Sequence, residues 1–130
     1  AKELLIREIA KAKKTIEGEA KFREAYEISP DKRIIILSEE LPWRRVLAEK
    51  PDVMFIIYPR NDGKWSASAA QDVGYASRQP LPVAWAGKTG KDLQEITGVL
   101  DAVFCHRGLF MAVAETKEGA IKLAKLALNA

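Results

Sequence analysis

The sequence predicts an α+β fold: a single domain with a mostly antiparallel sheet of about five strands and helices packed mainly on one face. Two observations lead to this prediction. Short apolar runs alternate with Gly, Pro and Asp turns in the middle of the chain, and helical periodicity marks both ends. The length of 130 residues and the hydrophobic content of 48% suffice for one core, so residues 1–130 are predicted as one domain.

The first predicted element is an amphipathic helix over residues 1–28. Its apolar side chains recur at helical spacing: Leu5, Ile9, Ala12 and Ile16. An interruption near Gly18 is left open. The β-branched run at residues 33–37 predicts a buried strand, either central in the sheet or well covered. Pro42 then opens a short helix over residues 43–49, because proline fits the first turn of a helix.

Two hairpins make up the rest of the predicted sheet. Residues 53–58 and 64–69 flank an Asp-Gly turn, which favours antiparallel pairing, and residues 102–106 pair with residues 109–114. Gly74 and the prolines that follow predict an irregular loop ending in a short turn near Trp85. Beyond the hairpins, residues 91–97 form a short helix ended by Gly98, and Thr116 caps the last one. The apolar residues of that last helix are predicted to face the sheet: Ile121, Leu123, Ala124 and Leu128.

Composition limits the classes of function. With 21 basic and 18 acidic residues the net charge is +3, which indicates a mildly basic surface and not, by itself, a nucleic-acid footprint. The apolar stretches are too short to span a bilayer, so we expect no membrane partner and a cytoplasmic location. The single cysteine, Cys105, excludes an internal disulfide and is predicted to be a small core residue on the face opposite to His106.

The only histidine lies in a predicted hairpin turn, His106-Arg107. The functional interpretation is an anion site: Arg107 grips a phosphate, His106 adds a hydrogen bond, and Thr116 and Lys117 complete the site at a helix start. The alternative is structural, with His106 hydrogen-bonded to backbone, Arg107 solvated and Thr116 a simple cap. Without further His or Asp clusters, we predict no catalytic residue and no metal ligand in this chain.

A second candidate is the loop Ser77-Arg78-Gln79-Pro80-Leu81-Pro82 with Trp85. Its two prolines stiffen it and Trp85 could pin it, so Ser77 and Arg78 are the predicted anion contacts. The alternative is a connector whose tryptophan fills the edge of the core. Weaker candidates for base stacking with phosphate contact are Trp43-Arg44-Arg45 and the pair Arg60 and Trp65, for which packing is the alternative.

Taken in order, several segments resemble the C-terminal half of the Myg exonuclease family. They cover about residues 37–128: Leu41-Pro42-Trp43, Ile57-Tyr58-Pro59, Gly63-Lys64-Trp65, Ser77 to Gly87, Leu93 to Gly98, Phe104-Cys105-His106 and Thr116 to Ala120. The order and spacing of these segments are specific, whereas each one alone is not. The chain has Gln79 where the family has a lysine, and Ala112-Val113-Ala114-Glu115 where it has Gly-Gly-Asn-Lys.

The resemblance implies a relation to the DHH phosphoesterases, which are metal-dependent hydrolases, and an action on RNA. It places the divalent metal in an N-terminal catalytic domain, whose motifs residues 1–40 do not resemble. The implied function is an accessory domain that binds single-stranded RNA or a nucleotide and is not catalytic alone, with Arg78, His106 and Arg107 as the main contacts. The alternative is an interaction module that docks a catalytic domain or subunit, or a second copy of itself.

Overall fold

A computed structural model describes residues 2–72 and 76–129, with side chains from Thr15 onward. Its centre is a five-stranded sheet in the order β1-β2-β3-β5-β4. The strands are β1 (Ile34–Ile36), β2 (Phe55–Pro59), β3 (Trp65–Ala69), β4 (Ala102–Cys105) and β5 (Met111–Ala114). Only the β1–β2 pair is parallel. The predicted α+β class and the mostly antiparallel sheet are therefore confirmed.

Four helices surround the sheet: α1 (Lys2–Ile28), α2 (Arg44–Leu47), α3 (Gly90–Thr97) and α4 (Lys117–Leu128). The helix α1 is continuous through Gly18, so the interruption left open there does not occur. A 3₁₀ turn at Val83–Trp85 ends the irregular segment, as predicted. Gly98 adopts a positive φ of 75° after α3, which confirms the predicted C-terminal stop because glycine takes this conformation without strain.

The larger core lies on the sheet face that α3 and α4 cover. Phe55 and Ile57 of β2 point to this face, where Leu93 of α3 and Leu123 of α4 are fully buried beside them. Phe55 and Ile57 share this face because side chains alternate along a strand, so that every second residue points to the same side. The predicted orientation of α4 toward the sheet is confirmed.

A smaller core lies on the opposite face, so the helices divide between both faces of the sheet. Ile35 and Ile56 pack there against Phe22 of α1 and Val46 of α2. The physical reason is that β1 and β2 are apolar on both sides and need cover on both. β1 is an edge strand and not central, but Ile34 and Ile35 are buried, so the prediction of a well-covered strand is confirmed.

The second face carries smaller side chains farther from β1. On this face, β3 carries Ser66 and Ser68, whereas β1 and β2 carry isoleucines. Ile16 belongs to the apolar stripe predicted along α1. Its side chain is 62% exposed, so the stripe does not face the core at this position. Helix cover therefore reaches β1 and β2, and an open groove remains beside β3 and β5.

Candidate functional site

Arg78 is held by the backbone of another segment. Its Nη1 donates to the carbonyl oxygens of Lys50 (2.8 Å) and Val53 (3.0 Å), its Nη2 donates to Leu47 (2.7 Å), and its Nε donates to Asp72 (2.8 Å). Only 10% of the side chain is exposed. These bonds occupy four of the five guanidinium donors, so the role predicted for Arg78, an open phosphate contact, is replaced by a structural one.

The neighbours of Arg78 are also tied to the fold. Ser77 forms a β-bridge with Gln71, and the Gln79 amide donates to the carbonyl oxygen of Ala127 in α4 (2.8 Å). Trp85 is 5% exposed and belongs to the larger core. It anchors the loop, as both interpretations of the sequence require, but its ring is not available for stacking on a ligand.

The β4–β5 turn presents His106 and Phe110 as a ring pair. Their centroids are 4.2 Å apart at an angle of 43°, and the Gly108 N–H donates to Nδ1 of His106 (2.9 Å). In this hydrogen bond Nδ1 is the acceptor and the ring is fixed, while the imidazole as a whole is exposed. Leu109 turns the chain with a positive φ of 61°.

Arg107 is exposed beside this pair and makes no hydrogen bond or ion pair within the described part of the chain. Its stem lies across Gly87: a Cβ atom at Gly87 would be 3.2 Å from the Arg107 Cγ. The backbone in this region is fixed, because the Gly87 N–H donates to the carbonyl of Cys105 (3.1 Å). The turn therefore leaves the Arg107 guanidinium exposed and without a partner among the described residues.

Thr116 caps α4, as predicted, but the anion position there is already filled. The carboxylate of Asp101 accepts from the Thr116 N–H (3.0 Å) and hydroxyl (2.5 Å), while the Thr116 Oγ1 accepts from the Gly119 N–H (3.0 Å). The Asp101 carboxylate lies against the Gly119 Cα, where a Cβ would collide with it. The chain's own carboxylate thus takes the place that sequence reasoning gave to a ligand.

The predicted combination of His106 and Arg107 with Thr116 and Lys117 does not form. These two groups lie at opposite ends of the β4–β5 hairpin, about 16 Å apart at about 3.3 Å per residue from Met111 to Thr116. The turn instead lies beside the 77–87 segment, since the Leu81 N–H donates to the carbonyl of Leu109 (2.9 Å). The structure therefore brings together the turn and the loop and separates both from the α4 cap.

A groove of about 810 Å³ opens on the second sheet face. Its lining includes the side chains Trp43, Tyr58, Ser68, Phe110 and Met111. The rings of Trp43 and Tyr58 are 5.1 Å apart at an angle of 51°, and the Ser68 hydroxyl donates to Tyr58 Oη (3.2 Å). Sequence reasoning singled out Trp43 and missed the other four. Alternation along β2 and β3 could have placed Tyr58 and Ser68 on one face.

The other weak candidates have structural partners. Arg60 pairs with Asp62 (3.3 Å) and lies 6.0 Å from the centre of the Phe104 ring. Trp65 packs against the larger core. Cys105 is buried in that core, as predicted, and burial raises the pKa of its thiol to about 11. This thiol stays protonated near neutral pH and is a poor nucleophile.

The residues that the structure describes do not fit a divalent metal. No three His, Cys, Asp or Glu side chains among them lie close enough together to act as ligands. Within the same residues, no helix has the length and apolar character needed to cross a membrane.

The order of the matching segments across this α+β domain points to one class of protein, the Myg family. The MYG1 exonuclease family, described as "Uncharacterised protein family (UPF0160)", matches residues 2–128. This chain belongs to that family.

Curated relatives come from distant organisms. The chain is 32% identical to MYG1 protein of Dictyostelium discoideum over 74% of its own length and 32% of the relative. It is 31% identical to a MYG1 protein of Schizosaccharomyces pombe, over 82% of this chain and 36% of the relative. The identity to human MYG1 exonuclease is 25%, over 85% of this chain and 32% of the relative. The chain thus spans about a third of the length of these relatives.

Proposed function

We propose that this chain is the accessory part of a Myg-family exonuclease and binds single-stranded RNA or a nucleotide for a catalytic part located elsewhere. The name exonuclease belongs to relatives such as the human one, which is about three times as long as the matched region. The proposal therefore assigns substrate binding to this chain. It leaves bond cleavage to the rest of the protein.

The observation that carries the proposal is the turn at His106, Arg107 and Phe110. Proteins that hold single strands combine aromatic faces, on which bases stack, with cations that follow the backbone. Here the exposed His106 ring packs on the half-buried Phe110, and the next residue after His106 is Arg107, which has no partner among the described residues. Arginine can bind a phosphate with two parallel hydrogen bonds, which suits this exposed position.

Metal binding is assigned to another part of the protein, because the described residues do not fit a divalent ion. A divalent metal would supply the activated water and the charge stabilisation of phosphodiester hydrolysis. His106, Arg107 and Phe110 would hold and orient the strand.

The test is a titration of the chain with a short fluorescent single-stranded RNA at several salt concentrations. We expect binding that weakens as salt rises, because phosphate contacts release counterions. Arg107→Ala should weaken binding and flatten the salt dependence. Lys122→Ala, which removes an exposed cation from α4, is the matched control and should change neither. An absence of salt-dependent binding by the unaltered chain contradicts the proposal.

The alternative, an interaction module, has one structural feature in its favour. Val83 is 81% exposed although it lies two residues from the buried Trp85. If this turn docks a second copy, light scattering after size exclusion should show a dimer that Val83→Asp converts to a monomer. A monomer at all concentrations removes support for self-association.

A further inference from the structure

We propose that the groove lined by Trp43, Tyr58, Ser68, Phe110 and Met111 binds a nucleobase of the RNA strand and leaves the phosphates outside. This inference rests on the proposed function and adds to it the chemical group that enters the site. It concerns a surface distinct from the α4 cap, and Arg78 borders this surface through its bonds to Asp72 and Leu47. Nothing in the sequence combined these five residues.

The dimensions of the groove suit a small planar group. Its volume of about 810 Å³ falls within the range typical of small-molecule sites, roughly 300–1,000 Å³. It is bounded by α1 and α2 on one side and by β3 and β5 on the other, through lining residues such as Glu19, Leu47, Ala69 and Met111. A rigid sheet forms one wall, so the shape is largely preformed.

Aromatic rings lie at two places in the groove. Trp43 and Tyr58 form a tilted pair with centroids 5.1 Å apart, and Phe110 lines the same groove while touching His106 outside it at 4.2 Å. Every nucleobase has a π-face that stacks on such rings. The His106–Phe110 contact joins the groove directly to the turn that holds Arg107.

The polar contacts of the groove match the edge of a base and not a phosphate. The Ser68 and Tyr58 hydroxyls are hydrogen-bonded to each other, and each can act as donor or acceptor. The charged side chains of the lining largely balance one another, because Glu19 is paired with Arg45 and Asp72 with Arg78, and the lining also includes both Glu40 and Arg44. The groove thus has no excess of positive charge to attract a phosphate, while its hydroxyl and carboxylate oxygens can accept hydrogen bonds from base amino groups. A neutral base is therefore favoured inside, and Arg107 is left for the charged backbone.

The position of Trp43 is set by a close contact with α1. A Cβ atom at Gly18 would lie 2.7 Å from Pro42 Cδ, so the loop before Trp43 rests directly on the helix backbone. At the adjacent position, the carboxylate of Glu19, only 7% exposed, pairs with Arg45 at 2.7 Å. These two contacts hold the Trp43 segment against α1.

The experiment compares adenosine, adenosine monophosphate and inorganic phosphate as ligands, followed by calorimetry and by tryptophan fluorescence. We expect adenosine and its monophosphate to bind with dissociation constants within a few-fold of each other, and inorganic phosphate not to compete. Trp43→Leu should weaken both by roughly tenfold, the usual effect of losing one stacking partner. Trp65→Leu makes the same change at a tryptophan on the other sheet face and should leave binding unchanged.

Tyr58→Phe keeps the ring and removes the hydroxyl, and it should weaken adenosine binding several-fold. This variant tests the groove if Trp43→Leu proves unstable. Competition by inorganic phosphate, or unchanged adenosine binding in both groove variants, overturns the groove assignment. RNA binding that depends on Arg107 and not on Trp43 overturns the groove and keeps the proposed function. Trp43-dependent adenosine binding without any RNA binding supports the groove and overturns the proposed function.

Discussion

Two arginines that look alike in the sequence have opposite surroundings in the fold. Arg78 lies in a proline-rich loop and Arg107 in a hairpin turn, and both are predicted as anion contacts. Arg78 is 10% exposed and bonded to three backbone carbonyls and a carboxylate. Arg107 is exposed, with only its stem packed on Gly87.

This difference shows that the acceptors of the neighbouring backbone determine whether an arginine stabilises the fold or stays available to a ligand. The carbonyl groups of Leu47 and Lys50 lie at and just after the end of α2, and each accepts one backbone N–H, which leaves a second lone pair for a nearby cation. Arg78 satisfies them, so its charge stabilises the fold. No such carbonyl cluster faces Arg107 among the described residues, so its donors stay available.

The largest expected effect comes from Arg78→Ala. Removing the guanidinium takes a donor from three carbonyls, of which those of Leu47 and Lys50 keep one backbone N–H partner, so we expect a loss of about 2 to 3 kcal/mol in the free energy of unfolding. Urea denaturation measures it. Arg78→Lys should recover only part of the loss, because an ammonium group cannot reproduce the planar arrangement of donors. Normal stability with lost RNA binding would reverse the roles assigned to the two arginines.

The next effect concerns the third predicted anion site, at the start of α4. In Gly119→Ala the new methyl group collides with the Asp101 carboxylate and disturbs the Thr116 cap. We expect a destabilisation of about 2 kcal/mol, against the gain that alanine normally brings within a helix. Thermal unfolding measures it.

The control is a double-mutant cycle with Asp101→Ala, in which the collision is absent. Gly119→Ala should then be much less harmful than in the unaltered chain. Equal penalties in both backgrounds would show that the carboxylate does not fill the helix start as described.

Arg107→Ala should change binding and not stability. Its side chain is exposed and unpaired within the described residues, so the free energy of unfolding should move by no more than about 0.5 kcal/mol. RNA affinity should fall several-fold at low salt and less at high salt. A stability loss comparable to that of Arg78→Ala would abolish the contrast between the two arginines.

The effect expected at Cys105, the buried neighbour of the exposed turn, is absent near neutral pH and develops only in alkaline solution. Its raised pKa, about 11, means that the folded state keeps the thiol proton while the unfolded state loses it at lower pH. Stability from this group is therefore full below the ordinary thiol pKa and declines as pH rises toward 11. Unfolding measured across this range for the unaltered chain and Cys105→Ala tests the sign.

Reactivity gives a second test of the same residue. Alkylation of Cys105 should be slow in the folded chain and fast in denaturant, since only the exposed thiolate reacts. Fast alkylation of the folded chain would show that the β4–β5 hairpin opens at the residue next to His106.

The elements with strong local signals could be predicted from sequence. The Asp62-Gly63 turn joins β2 and β3 in the expected antiparallel register, Gly98 ends α3, and Thr116 caps α4. In the candidate site, the exposed turn with His106 and Arg107 was also predictable. Its use in binding stays a prediction.

The features that follow from the sequence alone are local, because turn geometry, capping and alternation depend on residues a few positions apart. Three features depend on the tertiary structure. Arg78 is held by backbone carbonyls whereas Arg107 is not, Asp101 binds the start of α4 from 15 positions away, and Trp43 and Phe110 line one groove. These outcomes depend on groups far apart in the chain. Their distances are set only once both faces of the sheet have been covered.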